Sequence, residues 1–91
     1  MSLNRWDKKR DANDLPLQVY AKSRGCEIIP HDKYDWELLT PDRRNLMVEI
    51  KTKTGRLTKS QQKYLLDGWP LRIVRCEADI DELIDEVEFT A

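Results

Sequence analysis

The chain has 91 residues, 40% of them hydrophobic, which suffices for one small domain with a thin core and is too little for two. Sixteen basic and 17 acidic residues leave a formal net charge of -1, which argues against a general, charge-driven nucleic-acid binder. The single histidine, His31, argues against a His-rich zinc site, and Cys26 and Cys76 show no CxxC spacing. With no signal peptide or long apolar stretch, the expectation is a reduced, cytoplasmic protein with no membrane association, whose two thiols pack beside strands.

Residues 1–10 are polar and charged and read as a flexible N-terminal arm, leaving 11–91 as a single domain. Asp14 is placed to cap a helix beginning at Leu15, with Pro16 tolerated in its first turn and Gly25 ending it. Leu15 with Val19, and Leu17 with Tyr20 and Ala21, give that helix its apolar spacing. "CEII" at 26–29 predicts a short strand closed by Pro30, and 34–39 predicts a second. "TPDRRN" at 40–45 is turn chemistry joining it to a third strand at 46–52, so the pair reads as a hairpin. Arg43 and Arg44 sit in that turn, as contacts for a polyanion or as side chains that touch nothing.

Gly55 breaks the third strand. Thr58 followed by Gln61 forms a capping box that opens a helix running to about Asp67, where Gly68 and Pro70 stop it. "LRIVRC" at 71–76 predicts a fourth strand. Ile80, Leu83, Ile84 and Val87 follow at i, i+3, i+4 and i+7, the spacing of an amphipathic helix. The order of helix, three strands, helix, strand, helix is that of a small mixed sheet in an α/β (α+β) domain. The near-neutral average also hides a split: five bases and no acid between Lys51 and Lys63, seven acids and no base between Glu77 and Glu88. Such asymmetry predicts a basic working face and a solvated acidic helix elsewhere.

"NLMVEIKTKTG" at 45–55 sets Glu49, Lys51 and Lys53 into an apolar strand. Strand alternation projects Glu49 and Lys51 from one face, about 7 Å apart. If the hairpin closes at 40–45, Asp35 comes near Glu49 on the neighbouring strand, with Glu37 further along the same face. Two carboxylates and the intervening main-chain carbonyl of Ile50 suit a hard divalent ion such as Mg²⁺. A lysine beside such an ion orients a water and offsets charge developing on a phosphate. Alone, an E-x-K on a strand is most often a surface ion pair. The apolar flanks of Glu49, the basic run that follows and the upstream aspartate favour a site.

With these residues in place, Asp35 followed by Glu49-Ile50-Lys51 resembles the D…(D/E)-x-K signature of the PD-(D/E)XK nucleases. "RDAN" (10–13), "EIKTKTGRLTKSQQ" (49–62) and "IVRCEADIDELI" (73–84) are similar to the small stand-alone VRR-NUC-type nucleases of phages and bacteria. The resemblance implies a restriction-endonuclease-like αβββαβ core plus a C-terminal helix, and a Mg²⁺- or Mn²⁺-dependent DNA endonuclease that needs no small-molecule cofactor. It implies Asp35 and Glu49 as metal ligands together with the Ile50 carbonyl, Lys51 as the catalytic lysine, and Gln61 or Gln62 as the supporting glutamine of the following helix. It further implies a homodimer and branched DNA, Holliday junctions included, as substrate. Three positions depart from the pattern. Tyr34 stands where the family usually has proline, and Pro16 and Gln18 occupy the first-helix positions that often supply a further acid, leaving only Asp14 nearby.

Lys53, Arg56, Lys59 and Lys63 are candidate phosphate contacts or ordinary solvated lysines and arginine. Gln61 has a competing role in the capping box. Tyr64 reads as a packing residue. Trp36 and Trp69 read as core or dimer residues, and Trp6 as a residue able to stack on a base. The rival readings are a catalytically weak or inactive DNA-structure-binding module of the same fold, and a protein-interaction domain in which E-x-K decorates the surface.

Overall fold

The computed structural model describes residues 12–86. The arm at 1–10, Trp6 and Val87 therefore lie outside the described residues. The elements follow the order α1 (Asp14–Ser23), β1 (Glu27–Pro30), β2 (Trp36–Leu39), β3 (Asn45–Ile50), α2 (Lys59–Leu66), β4 (Leu71–Val74) and α3 (Glu77–Asp85). The four strands form one mixed sheet in sequence order. β1/β2 and β2/β3 are antiparallel, and β3/β4 are parallel through the crossover that contains α2.

Register gives the sheet two unlike faces. Pairing of Trp36 with Val48, and of Ile50 with Val74, turns those side chains to one side. There they meet Leu17 and Ala21 of α1 and Ile80 and Leu83 of α3 in a single core in which Trp36, Leu38, Val48, Val74 and Ile80 are wholly inaccessible. α1 and α3 cover this face and touch each other. α2 contributes no buried residue and rests on its capping box.

Several expectations are corrected by this packing. Asp14 does not cap α1: it is the first helical residue, and the N-cap is Asn13, whose side chain makes no capping bond. Leu17 and Ala21 face the core as expected, whereas Leu15 and Val19 point to solvent. β1 starts one residue late and takes in Pro30, which an edge strand tolerates because a missing N–H there breaks no ladder. The second and fourth strands are shorter than 34–39 and 71–76 for one shared reason: side chains take over the bonding. The Asp35 carboxylate accepts the Ile50 N–H, and Asp79 accepts the Arg75 N–H, at 2.7 and 2.8 Å. The third strand likewise ends at Ile50 and not at residue 52.

In the hairpin turn, Arg43 adopts a left-handed conformation at φ 68 after the Thr40–Arg43 bond. Arg44 is not a surface arm. Its Nη2 donates to the carbonyls of Leu83 (3.0 Å) and Ile84 (2.9 Å), closing the C-terminal end of α3 onto the sheet. Cys26 is buried, and burial pushes its thiol pKa up. Cys76 is exposed at the N-cap of α3, contrary to a packing role. Trp36 is core, Trp69 stacks on Tyr64 at 4.3 Å, and His31 stacks on Tyr34 at 4.0 Å.

Candidate active site

β3 carries the site because its apolar and charged residues alternate. Val48 and Ile50 are consumed by the helical face, so Glu49 and then Lys51 project from the other. That face is not simply wet. Glu49 is 6% exposed, and the Lys51 side chain 12%, with its Nζ 3.9 Å from Glu49 Oε2. A carboxylate and an ammonium group held out of water are costly unless their partners are arranged to meet them.

Asp35 joins them through the backbone. Extending the Trp36–Val48 register by one residue sets Asp35 opposite Glu49, while Glu37 pairs with Met47 further down the strand. The Ile50 N–H points toward β2, and Asp35 Oδ2 accepts it at 2.7 Å. N–H and C=O of one strand residue face the same neighbour, so the Ile50 carbonyl opens toward Asp35 as well. Asp35, Glu49 and the Ile50 carbonyl therefore gather at the end of β3, with Lys51 next along the chain. Tyr34, just before Asp35, is buried, and burial raises its hydroxyl pKa, with Glu37 and Asp32 adding to the shift.

This donor set is hard and oxygen-only, and one or two carboxylates with waters and substrate phosphates are what Mg²⁺ ordinarily uses. Two carboxylates and one carbonyl are donors of the type such an ion takes. Among the described residues no group of three or more His, Cys, Asp or Glu side chains is placed to hold a metal. Asp14 is deeply buried, but its carboxylate accepts from the Gln18 amide (2.5 Å) and the Trp36 indole (3.4 Å), both on the helical side of the sheet.

The loop after β3 is held from below by two residues that the sequence alone did not single out. Asn13 Nδ2 donates to the carbonyls of Lys51 (2.8 Å) and Arg75 (3.2 Å). Arg75 Nη1 donates to the carbonyls of Thr52 (2.6 Å) and Gly55 (2.8 Å), with that of Lys53 at 3.5 Å. Gly55 closes the turn by donating its N–H to Thr52, and a Cβ there would stand 2.9 Å from the Thr52 hydroxyl. Lys53 and Arg56 are exposed on this loop.

The α2 side chains bond within their own helix and its entry. Gln61 Oε1 accepts the Thr58 N–H while the Gln61 N–H donates to Thr58 Oγ1, so its side chain serves the capping box. Gln62 donates to the Leu57 carbonyl. Lys59 is exposed, and Lys63 pairs with Asp67 at 2.9 Å along the helix. The pocket between Gly25, Leu39, Pro41 and Arg43 lies at the opposite end of the strands from Asp35 and Glu49, and it holds no candidate catalytic group. No helix of the described residues is long and apolar enough to cross a membrane.

The class of protein is a small α+β domain with a four-stranded mixed sheet and three helices among the described residues, bearing buried Asp35 and Glu49 with the half-buried Lys51 beside Glu49. No protein-family model, curated protein or solved structure matches the chain.

Proposed function

We propose that this chain is a divalent-metal-dependent endodeoxyribonuclease of PD-(D/E)XK type, with a restriction-endonuclease-like core. The observation that carries the proposal is the meeting of Asp35 with the Ile50 backbone opposite the buried Glu49, with Lys51 beside it. Asp35, Glu49 and the Ile50 carbonyl would hold Mg²⁺ or Mn²⁺. The ion would polarise a phosphodiester and lower the pKa of a water. Lys51 holds a positive charge where negative charge develops on the attacked phosphate, and its restricted exposure means little solvent must be displaced to do so. The low accessibility of Glu49 weakens competition from bulk water for the same contacts.

Lys53 and Arg56, exposed on the loop that follows Lys51, supply phosphate attraction, with Lys59 and Lys63 further along on α2. Branched DNA as substrate and assembly as a homodimer belong to the same reading. A domain of this size gains from burying further apolar surface, and sedimentation at micromolar concentration tests the dimer.

One observation favours the second reading, a DNA-structure-binding module without efficient catalysis. Among the described residues no group of three or more His, Cys, Asp or Glu side chains is placed to hold a metal, so no third acidic side chain joins the donor set there. Cleavage of a panel of labelled branched and linear DNAs, in Mg²⁺, Mn²⁺ or chelator, separates the two. The nuclease reading expects metal-dependent cutting that Lys51→Ala abolishes while its circular dichroism stays native. Undiminished cutting by that variant would remove the catalytic role of Lys51. Metal-independent binding of branched DNA without any cutting by wild type would establish the binding module instead.

A further inference from the structure

Arg75 is a cation on the loop side of β4, and a basic residue near a nuclease centre invites assignment to DNA. Its geometry says otherwise. One guanidinium nitrogen is committed to the carbonyls of Thr52 and Gly55, at 2.6 and 2.8 Å, and approaches that of Lys53. Its own backbone is fixed at both ends: the N–H donates to Asp79 at 2.8 Å, and the carbonyl accepts from Asn13 at 3.2 Å. Asn13 in turn holds the Lys51 carbonyl at 2.8 Å. Three stretches of chain far apart in sequence are thus tied together: the start of α1, the exit of β3 and the exit of β4.

We infer that Arg75 and Asn13 form an internal clasp that sets the shape of the loop from Lys51 to Arg56, making Arg75 a positioning residue and not a DNA contact. The physical argument is one of directions. Carbonyls of Lys51, Thr52 and Gly55 are drawn inward to the clasp, and the exposed Lys53 and Arg56 extend from the same loop into solvent. Held this way, the loop presents its cations without paying again to order the backbone when a phosphate arrives. Without the guanidinium, two part-buried carbonyls lose their donor and the turn closed by the Gly55 N–H loses its support. The role of the loop in DNA cleavage rests on the nuclease reading; the clasp itself does not.

The test is Arg75→Met, which keeps much of the apolar stem and removes the donors. Hydrogen exchange read residue by residue is expected to speed up at least tenfold at the Gly55 amide, with the Val48 and Leu38 amides unchanged. Salt titration of DNA binding is expected to give the wild-type slope, because no phosphate contact is lost, while cleavage turnover falls at least tenfold. Unchanged exchange at Gly55 would overturn the clasp, and a salt slope lower by about one would make Arg75 a phosphate contact. If wild type cuts no DNA with any metal, the nuclease reading fails, and the exchange result still decides the clasp. Should Arg75→Met fail to fold, Asn13→Ala removes the second limb, with faster exchange expected at the Lys51 amide and an unchanged rate overturning the proposal.

Discussion

Asp35 has two jobs in the reading above, and two substitutions separate them. Its carboxylate, 7% exposed, terminates the β2/β3 ladder by accepting the Ile50 N–H at 2.7 Å. Asp35→Ala removes that acceptor and strands a buried N–H, at a cost of about 1–3 kcal/mol. In a domain of this size each kcal/mol moves the melting temperature by about 4–8 °C, so the alanine variant should melt roughly 5–20 °C low. Asp35→Asn keeps an amide oxygen in place for the Ile50 N–H and gives up the charge assistance of that bond, so the part of its loss that comes from the ladder should be roughly 1 kcal/mol or less. The metal role depends on charge, not on the bond to Ile50, so both variants should lose Mg²⁺-dependent cleavage by at least about 100-fold, roughly 2.7 kcal/mol of barrier. Thermal unfolding followed by circular dichroism, beside cleavage of labelled DNA, reads both effects. Equal melting of the two variants would refute the backbone role. Wild-type cutting by Asp35→Asn would refute the metal role.

Thr58→Ala should cost α2 about 1 kcal/mol by breaking the capping box. Because α2 buries no residue, the loss should appear as faster hydrogen exchange at the Gln62 amide with little change in overall melting; an unchanged Gln62 rate would contradict it. Glu86 receives both Arg72 guanidinium nitrogens, at 2.6 and 2.5 Å, and this pairing holds its carboxyl below the usual glutamate value of 4.5. A lowered folded pKa contributes stability above the unfolded value, and that contribution fades as pH falls through the folded one. The melting gap between wild type and Glu86→Gln should therefore be present at neutral pH and narrow below about pH 4, whereas a gap constant down to about pH 3 would show that the pair does not couple to folding.

How legible the molecule was depended on the range over which each signal acts. The capping box of α2 could be read directly, because Thr58 and Gln61 satisfy each other within one turn. Element order was legible for the same reason, from Gly25, Gly55 and Gly68 and from the spacing of Ile80 with Leu83 and Ile84. Strand ends were less so. Tyr34 and Asp35 have strand-like neighbours, and only the capture of the Ile50 N–H by a side chain ends β2 at Trp36. Asp14 looked like a cap because its residue type fits one, but tertiary packing drew it to Trp36 instead. Leu15 and Val19 were half of a plausible apolar stripe, and the sheet lies on the Leu17–Ala21 side.

Periodicity and neighbours a few positions apart place the helices and strands to within a residue or two, locate the turns, and put Glu49 and Lys51 on one face. The burial of Asp35 and Glu49 on that face, and the placing of Asp35 opposite Glu49, come from the register and packing of the folded sheet. The tertiary structure alone also decided that Gln61 is spent on its own helix and that Asn13 and Arg75 hold the loop. The Asn13–Lys51 bond joins residues 38 apart, and Asn13 reaches the Arg75 carbonyl across 62. A side-chain amide meeting a backbone carbonyl at such separation leaves no trace in local pattern, because every residue carries the same carbonyl and only the register of the sheet selects which one is met.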